Sequence, residues 1–308
     1  MNYLQILSSF KREIWEYKKS LVWTPLVLAI LLFILLASHL LALNEYQAAK
    51  VGEFIALASE LNDNSARSLG RNFAFVLVIF IPFLLIAVIL QIKYFLACLF
   101  DERRDLSVYF WRSLPVSDAQ TIAVKFVTGA FVIPLVFIVA GALFIIAALL
   151  LASLVSVFGG LGPDTSIWTF FSSIGILGPI STILIGVVAI TIWLFPVITW
   201  LMLASMIAQR APFLWAVLPV LAILIAEFIF VEIFGNGSFF FIQILEEYFR
   251  LNPGDSVNIM LNSDNMIVQA PLFVNSIIFA KAGIVPIGIG CLFLAATYWL
   301  RVNRSHEA

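Results

Sequence analysis

Few residues in this chain could do chemistry, and most of them lie in one place. Asp101-Glu102-Arg103-Arg104-Asp105 leads into Leu106-Ser107-Val108-Tyr109-Phe110-Trp111-Arg112-Ser113-Leu114-Pro115-Val116-Ser117-Asp118. Pro115 interrupts this segment, and Ser117 with Asp118 can cap a new helix. Aromatic side chains beside arginine on a short, well-terminated segment have the composition of a protein-contact hot spot. The chemistry is recognition rather than bond-making. A plain loop whose aromatics rest on a membrane surface has the same composition and stays open as the alternative. The alternating charges of 101–105 predict a solvated extension of the element before them.

Glu227 is the other candidate, placed within Ala222-Ile223-Leu224-Ile225-Ala226-Glu227-Phe228-Ile229-Phe230. A charged carboxylate facing lipid there would cost a few kcal/mol, so it must face protein or be protonated. It is either a polar spot on a path or subunit interface, or a hydrogen-bonded carboxyl that fixes helix packing. Other chemistry finds no support. No G-x-x-x-x-G-K-[ST], G-x-S-x-G or H-E-x-x-H occurs. His39 and His306 are isolated, and Cys98 and Cys291 are remote from each other, so no zinc site is expected and the thiols read as small buried hydrophobes. Gly288-Ile289-Gly290 lies in an apolar run and suits close helix packing rather than a phosphate. No catalytic role is expected of the chain.

The elements that must position these residues are apolar. Hydrophobic residues make up 63% of the chain and charged ones 11%, with a mean hydropathy of +1.09, outside the range of a soluble domain. The reading is an all-α, polytopic integral membrane protein with six spans, near 21–43, 72–91, 126–155, 180–207, 213–233 and 276–300. The third and fourth runs exceed a bilayer's need, so they tilt or partly leave it. Twelve of the 17 Lys and Arg residues fall on the side of both termini, which the positive-inside rule makes cytoplasmic. Pro134, Pro179, Pro196, Pro219 and Pro286 are each expected to remove a backbone bond and bend a helix.

Residues 1–20 have helical period, with Tyr3, Ile6, Leu7, Phe10, Ile14, Tyr17 and Leu21 on one side and Gln5, Ser9, Arg12, Glu13, Glu16 and Lys19 mostly opposite. That predicts an amphipathic helix lying in the membrane plane. Outside, 44–71 has helical spacing. The run Phe239-Phe240-Phe241-Ile242-Gln243-Ile244-Leu245, within 236–271, is too short to cross and reads as a re-entrant or interfacial helix. With no repeat and no linker, residues 1–308 form a single membrane domain.

The 100–118 segment resembles the loop between the second and third spans of bacterial ABC-2 type transporter permeases. Members show an acidic-basic cluster and then a Phe-Trp-(basic)-Ser-Leu-Pro-Val-Ser-Asp run. Trp193-Leu194-Phe195-Pro196-Val197 and Ala208-Gln209-Arg210-Ala211-Pro212-Phe213-Leu214-Trp215 are similar to the family's fourth span, tight turn and fifth-span start, although Gln209 stands where a basic residue is usual. The resemblance implies a permease subunit, an exporter, in the bacterial inner membrane. Its partners would be a separate ATP-binding cassette ATPase subunit, a second permease copy and membrane lipids, with no cofactor and no nucleic acid. Residues 99–120 would be the coupling loop, with Arg103, Arg104, Asp105, Phe110, Trp111, Arg112, Leu114, Pro115, Ser117 and Asp118 docking on the ATPase. Against this stand a secondary transporter or channel, an integral membrane enzyme acting on lipids, and a non-transporting scaffold. One firm intramembrane carboxyl and no inverted repeat count against the first of these.

Overall fold

The computed structural model describes residues 3–60, 66–105, 117–157, 175–234, 239–250, 278 and 283–303. Among them there is no strand. The helices are α1 (Tyr3–Glu16), α2 (Thr24–Leu41), α3 (Glu45–Glu60), α4 (Ala66–Ala97), α5 (Phe100–Arg104), α6 (Asp118–Val127), α7 (Ile133–Val157), α8 (Leu177–Trp193), α9 (Phe195–Ile207), α10 (Pro212–Phe234), α11 (Phe240–Phe249) and α12 (Ile284–Asn303). Five continuous helical runs are long and apolar enough to cross a membrane: 19–41, 73–104, 118–156, 212–233 and 284–303. The pair α8 and α9, bent by 62°, makes a sixth if it is one span. Most of these helices are apolar all round, as helices that meet lipid on one side and protein on the other must be.

The second run outlasts the sequence expectation. α4 continues past Gln91 to Ala97, and after two turn residues α5 carries it to Arg104. The third is one rod in which α6 passes into α7 through a π-helical turn at Thr128–Val132. The fourth is broken at Leu194.

Proline accounts for the irregularities. A proline has no N–H to offer the carbonyl four residues back, and its ring clashes with that carbonyl. Pro25 follows a π turn at Lys19–Trp23, Pro134 follows the π turn of the third run, and Pro196 follows the break at Leu194. The carbonyl that Pro134 leaves without its usual donor is that of Ala130. Gln91 Nε2 and Thr191 Oγ1 each donate to it at 3.4 Å, and Gln91 donates to Gly129 O at 2.9 Å. Two neighbouring helices thus repair the third. Gly129 also admits the Phe95 ring, which would stand 2.3 Å from any Cβ placed there. Pro179 and Pro286 correct the expectation of a lost bond at each proline. Both occupy the first turn of their helices, where an N–H has no intrahelical acceptor.

α4 sits among α7, α8 and α9, while α2 packs on α7 and α12 packs on α9. Phe83, Phe95, Leu99, Phe137 and Met202 form the buried centre. Gly290 lets α12 approach Phe195 of α9 closely, so of the two glycines in Gly288-Ile289-Gly290 it is Gly290 that packs. Cys98 is buried but Cys291 is exposed, which corrects the reading of both thiols as buried. α10 stands at the edge, with Phe213, Leu221, Phe228 and Ile233 all exposed.

Candidate functional site

At one end of the bundle, charges from four elements close into a buried knot. Ser117 accepts a hydrogen bond from the backbone N–H of Gln120 and starts α6 as its N-cap. Two turns later Lys125 points inward and is fully buried. Its Nζ lies 2.9 Å from Glu13 Oε1 of α1 and 3.2 Å from Glu102 Oε1 of α5. Arg12 Nη2 also reaches Glu102 Oε1, at 3.2 Å. Arg301, near the end of α12, donates from Nη1 to Glu102 Oε2 at 3.0 Å and from Nε to Asp118 Oδ1 at 2.8 Å. Tyr94 Oη donates to Glu13 Oε1 at 2.7 Å. Among the described residues, Arg12, Lys125 and Arg301 balance Glu13, Glu102 and Asp118 in formal charge. Buried ions survive only when paired in this way.

Glu102 therefore corrects the expectation of a solvated extension at 101–105: its side chain is 1% exposed because cations from three elements converge on it. Only the outer edge of α5 fits that expectation. Arg104 is exposed and pairs with Asp105 at 3.0 Å and Asp101 at 3.4 Å. α1 meets the bundle through its polar edge. Its polar residues Ser9 and Glu13 are buried against the bundle, while Leu7, Ile14 and Trp15 are exposed. The ammonium of Lys125 draws Glu13 inward, Leu7 and Ile14 are left on the side that an in-plane helix turns to lipid, and beyond α1 Tyr17 and Leu21 pack on the core.

Another element of the same end is tied in by Arg103. Its Nη2 donates to the carbonyls of Ser205 at 2.8 Å and Ala208 at 2.7 Å, at the C-terminus of α9, where a cation meets the negative end of the helix dipole. Ser205 Oγ accepts from Leu99 N and Phe100 N, the amides at the joint between α4 and α5. Of the sequence-predicted docking residues, Arg103 and Asp118 thus face into the protein. Arg104, Asp105 and Ser117 are exposed, and Phe110, Trp111, Arg112, Leu114 and Pro115 lie outside the described residues. Sequence reasoning missed Glu13, Tyr94, Lys125 and Arg301. A lysine flanked by Val124 and Phe126, eight residues into a membrane-length helix, was the one available signal.

Glu227 lies elsewhere. Half-buried on α10, it accepts the backbone N–H groups of Phe241 at 2.5 Å and Ile242 at 3.2 Å, at the N-terminus of α11. A carboxylate there meets otherwise unpaired amides and the positive end of the helix dipole. At the other end of α11, Tyr248 Oη donates to the carbonyl of Trp193, at the break between α8 and α9. α11 is therefore a strut from α10 to that break. Of the two sequence readings of Glu227, this geometry is that of the carboxyl that fixes packing.

The knot ties helices together. Among the described residues no cluster of His, Cys, Asp and Glu could hold a metal. Burial pushes the Tyr17 phenol above the usual tyrosine range, so it stays protonated. Compared with family models, with curated proteins and with solved structures, the chain matches none.

Proposed function

We propose that this chain is the membrane-spanning permease subunit of an ATP-driven transporter of the ABC-2 type, an exporter in the bacterial inner membrane. In this reading it has six spans and both termini in the cytoplasm, and the coupling loop 99–120 receives force from a separate ATPase subunit. A second permease copy completes the path. The observation that carries the reading is Arg301 bridging Glu102 and Asp118, the two flanks of that loop. A coupling segment must be rigidly attached to what it moves. Here the flanks are tied by buried ion pairs to α1, α6 and α12, and by Arg103 to the turn between α9 and α10. Closure of the ATPase would then shift five elements together rather than bend a loop.

The position of α11 fits the same reading. Glu227 lies 15 residues beyond Pro212, about 22 Å along α10, and Trp193 lies about 20 Å along α9 from its far end. Both anchors of α11 are therefore well inside a hydrocarbon layer of about 30 Å, which favours a re-entrant helix over an interfacial one. The test is purification from the native host in mild detergent. A soluble ATPase should co-purify with the wild type and be lost from the double variant Trp111→Ala with Arg112→Glu, which should still fold and insert. Capture unchanged by that variant would overturn the docking assignment.

A further inference from the structure

Where α1 runs into α2, three hydrogen-bond donors converge on one small cavity without a partner. The cavity, of about 180 Å³, is lined by Tyr17, Ser20, Leu21, Lys93, Asp101 and Ile133 among others. Lys93 is exposed, and no carboxylate lies within ion-pair distance of it among the described residues. Tyr17 Oη is buried and has no hydrogen-bond partner among the described residues. The Ser20 hydroxyl faces the same space and makes no side-chain hydrogen bond among the described residues. An ammonium and two hydroxyl donors around one hollow are suited to an anion such as a phosphate.

A second, apolar cavity lies beside it. Leu21 lines both, and Ile133 of the first stands one helical turn before Val136 of the second. This groove of about 410 Å³ runs between the first span and α7, past Ala29 and Phe33 on one wall and Ala140 and Phe144 on the other. From Leu21 to Phe33 it extends about 18 Å, close to the half-thickness of a hydrocarbon core of about 30 Å. On the opposite side of the donors, two helical turns from Lys93 toward the charged knot, stands the Asp101 carboxylate. One of its oxygens pairs with Arg104 at 3.4 Å, a long and part-exposed contact that leaves the other oxygen available.

Along the helix axes the order is apolar groove, cationic pocket, carboxylate. That is the order of acyl chain, phosphate and ammonium in a zwitterionic phospholipid. We infer that this site holds one aminophospholipid, its phosphate on Lys93, Tyr17 and Ser20, its headgroup ammonium at Asp101, and an acyl chain between the first span and α7. The lipid would brace the joint between α1 and α2 against the third run, and the inference is independent of what drives the protein.

Native mass spectrometry of the full chain, delipidated in detergent and titrated with phosphatidylethanolamine or phosphatidylglycerol of matched chains, tests it. One phosphatidylethanolamine should bind per chain at lower concentration than phosphatidylglycerol. Lys93→Gln should weaken both lipids about tenfold or more, as loss of a charge-assisted hydrogen bond does. Asp101→Asn should erase the preference between them, and Lys50→Gln, on an exposed lysine away from the cavity, should change nothing. Lys93 is exposed and Asp101 part-exposed, so both variants are expected to fold, with melting temperature as the check. Ala140→Trp, which fills the groove, should displace the chain. Lipid retention unaffected by Lys93→Gln would overturn the site. Equal or tighter phosphatidylglycerol binding would overturn the aminophospholipid.

Discussion

Glu102 and Glu227 are both carboxylates carried on long apolar runs, and their surroundings satisfy them in opposite ways. Glu102 is almost wholly buried and takes cations from three other elements. Glu227 is half-buried and takes only two backbone amides at the start of a short helix. Deep burial demands full counter-charge, because an ion removed from water without a partner is far more costly than a neutral dipole. Partial exposure lets two amides suffice. The two ends of the molecule differ accordingly. The knot welds α1, α5, α6 and α12 into one body, whereas α10 and α11 hang on hydrogen bonds and an apolar surface. One region is held by buried ion pairs, and the other by hydrogen bonds to a half-buried carboxylate.

The sharpest way to break this contrast is Lys125→Met. It strips the shared cation from Glu13 and Glu102, leaving buried carboxylates undercompensated, and should cost about 3–5 kcal/mol. Thermal melting in detergent reads this as a large drop, and adding Glu13→Gln should recover part of it through the coupling between the two sites. A melting temperature unchanged by Lys125→Met would mean that the ions are hydrated and that no weld exists. At the other end, Glu227→Ala should cost less, about 1–2 kcal/mol, in line with loss of a helix N-terminal acceptor. Its mark should be local, with faster amide exchange at Phe241 and Ile242 while the knot stays protected. Faster exchange at α6 as well would show that the two ends are one cooperative unit.

The apolar runs and the all-helical class were legible because hydropathy over a membrane-length window is a local property of sequence, whereas ends such as Arg104 and Asp118 lie beyond the apolar window and were not. The close-packing role of glycine in the last run was legible for the same reason, at Gly290. The knot was not. Lys125 and Glu13 are 112 positions apart and Arg301 and Glu102 are 199 apart, so nothing local marks them as partners. Position misled as well. Charges beside a span read as solvated, and Glu102 and Arg103 fall within such a cluster, yet both turn inward. In α1 the helical period was legible, but that Ser9 and Glu13 pack against the bundle was not. The prolines show a milder version of this limit. Their rigidity is local, but whether a bond is lost depends on the turn each one occupies, and Pro179 and Pro286 fall where none exists.

The smallest expected effect is the most discriminating, because it separates two neighbours in sequence. Arg103 reaches inward to the end of α9, whereas Arg104 is exposed and pairs only with Asp105 and Asp101 on its own short segment. Exposed pairs of that kind contribute little to stability. Arg104→Ala should therefore leave the melting temperature unchanged while weakening capture of the proposed ATPase, since this is the described arginine of the segment whose side chain is exposed. A fall in melting temperature would show that the outer pairs belong to the weld, and the distinction between an inner knot and an outer contact surface would fail. Unchanged melting with unchanged capture would leave the weld in place and remove Arg104 from the docking face.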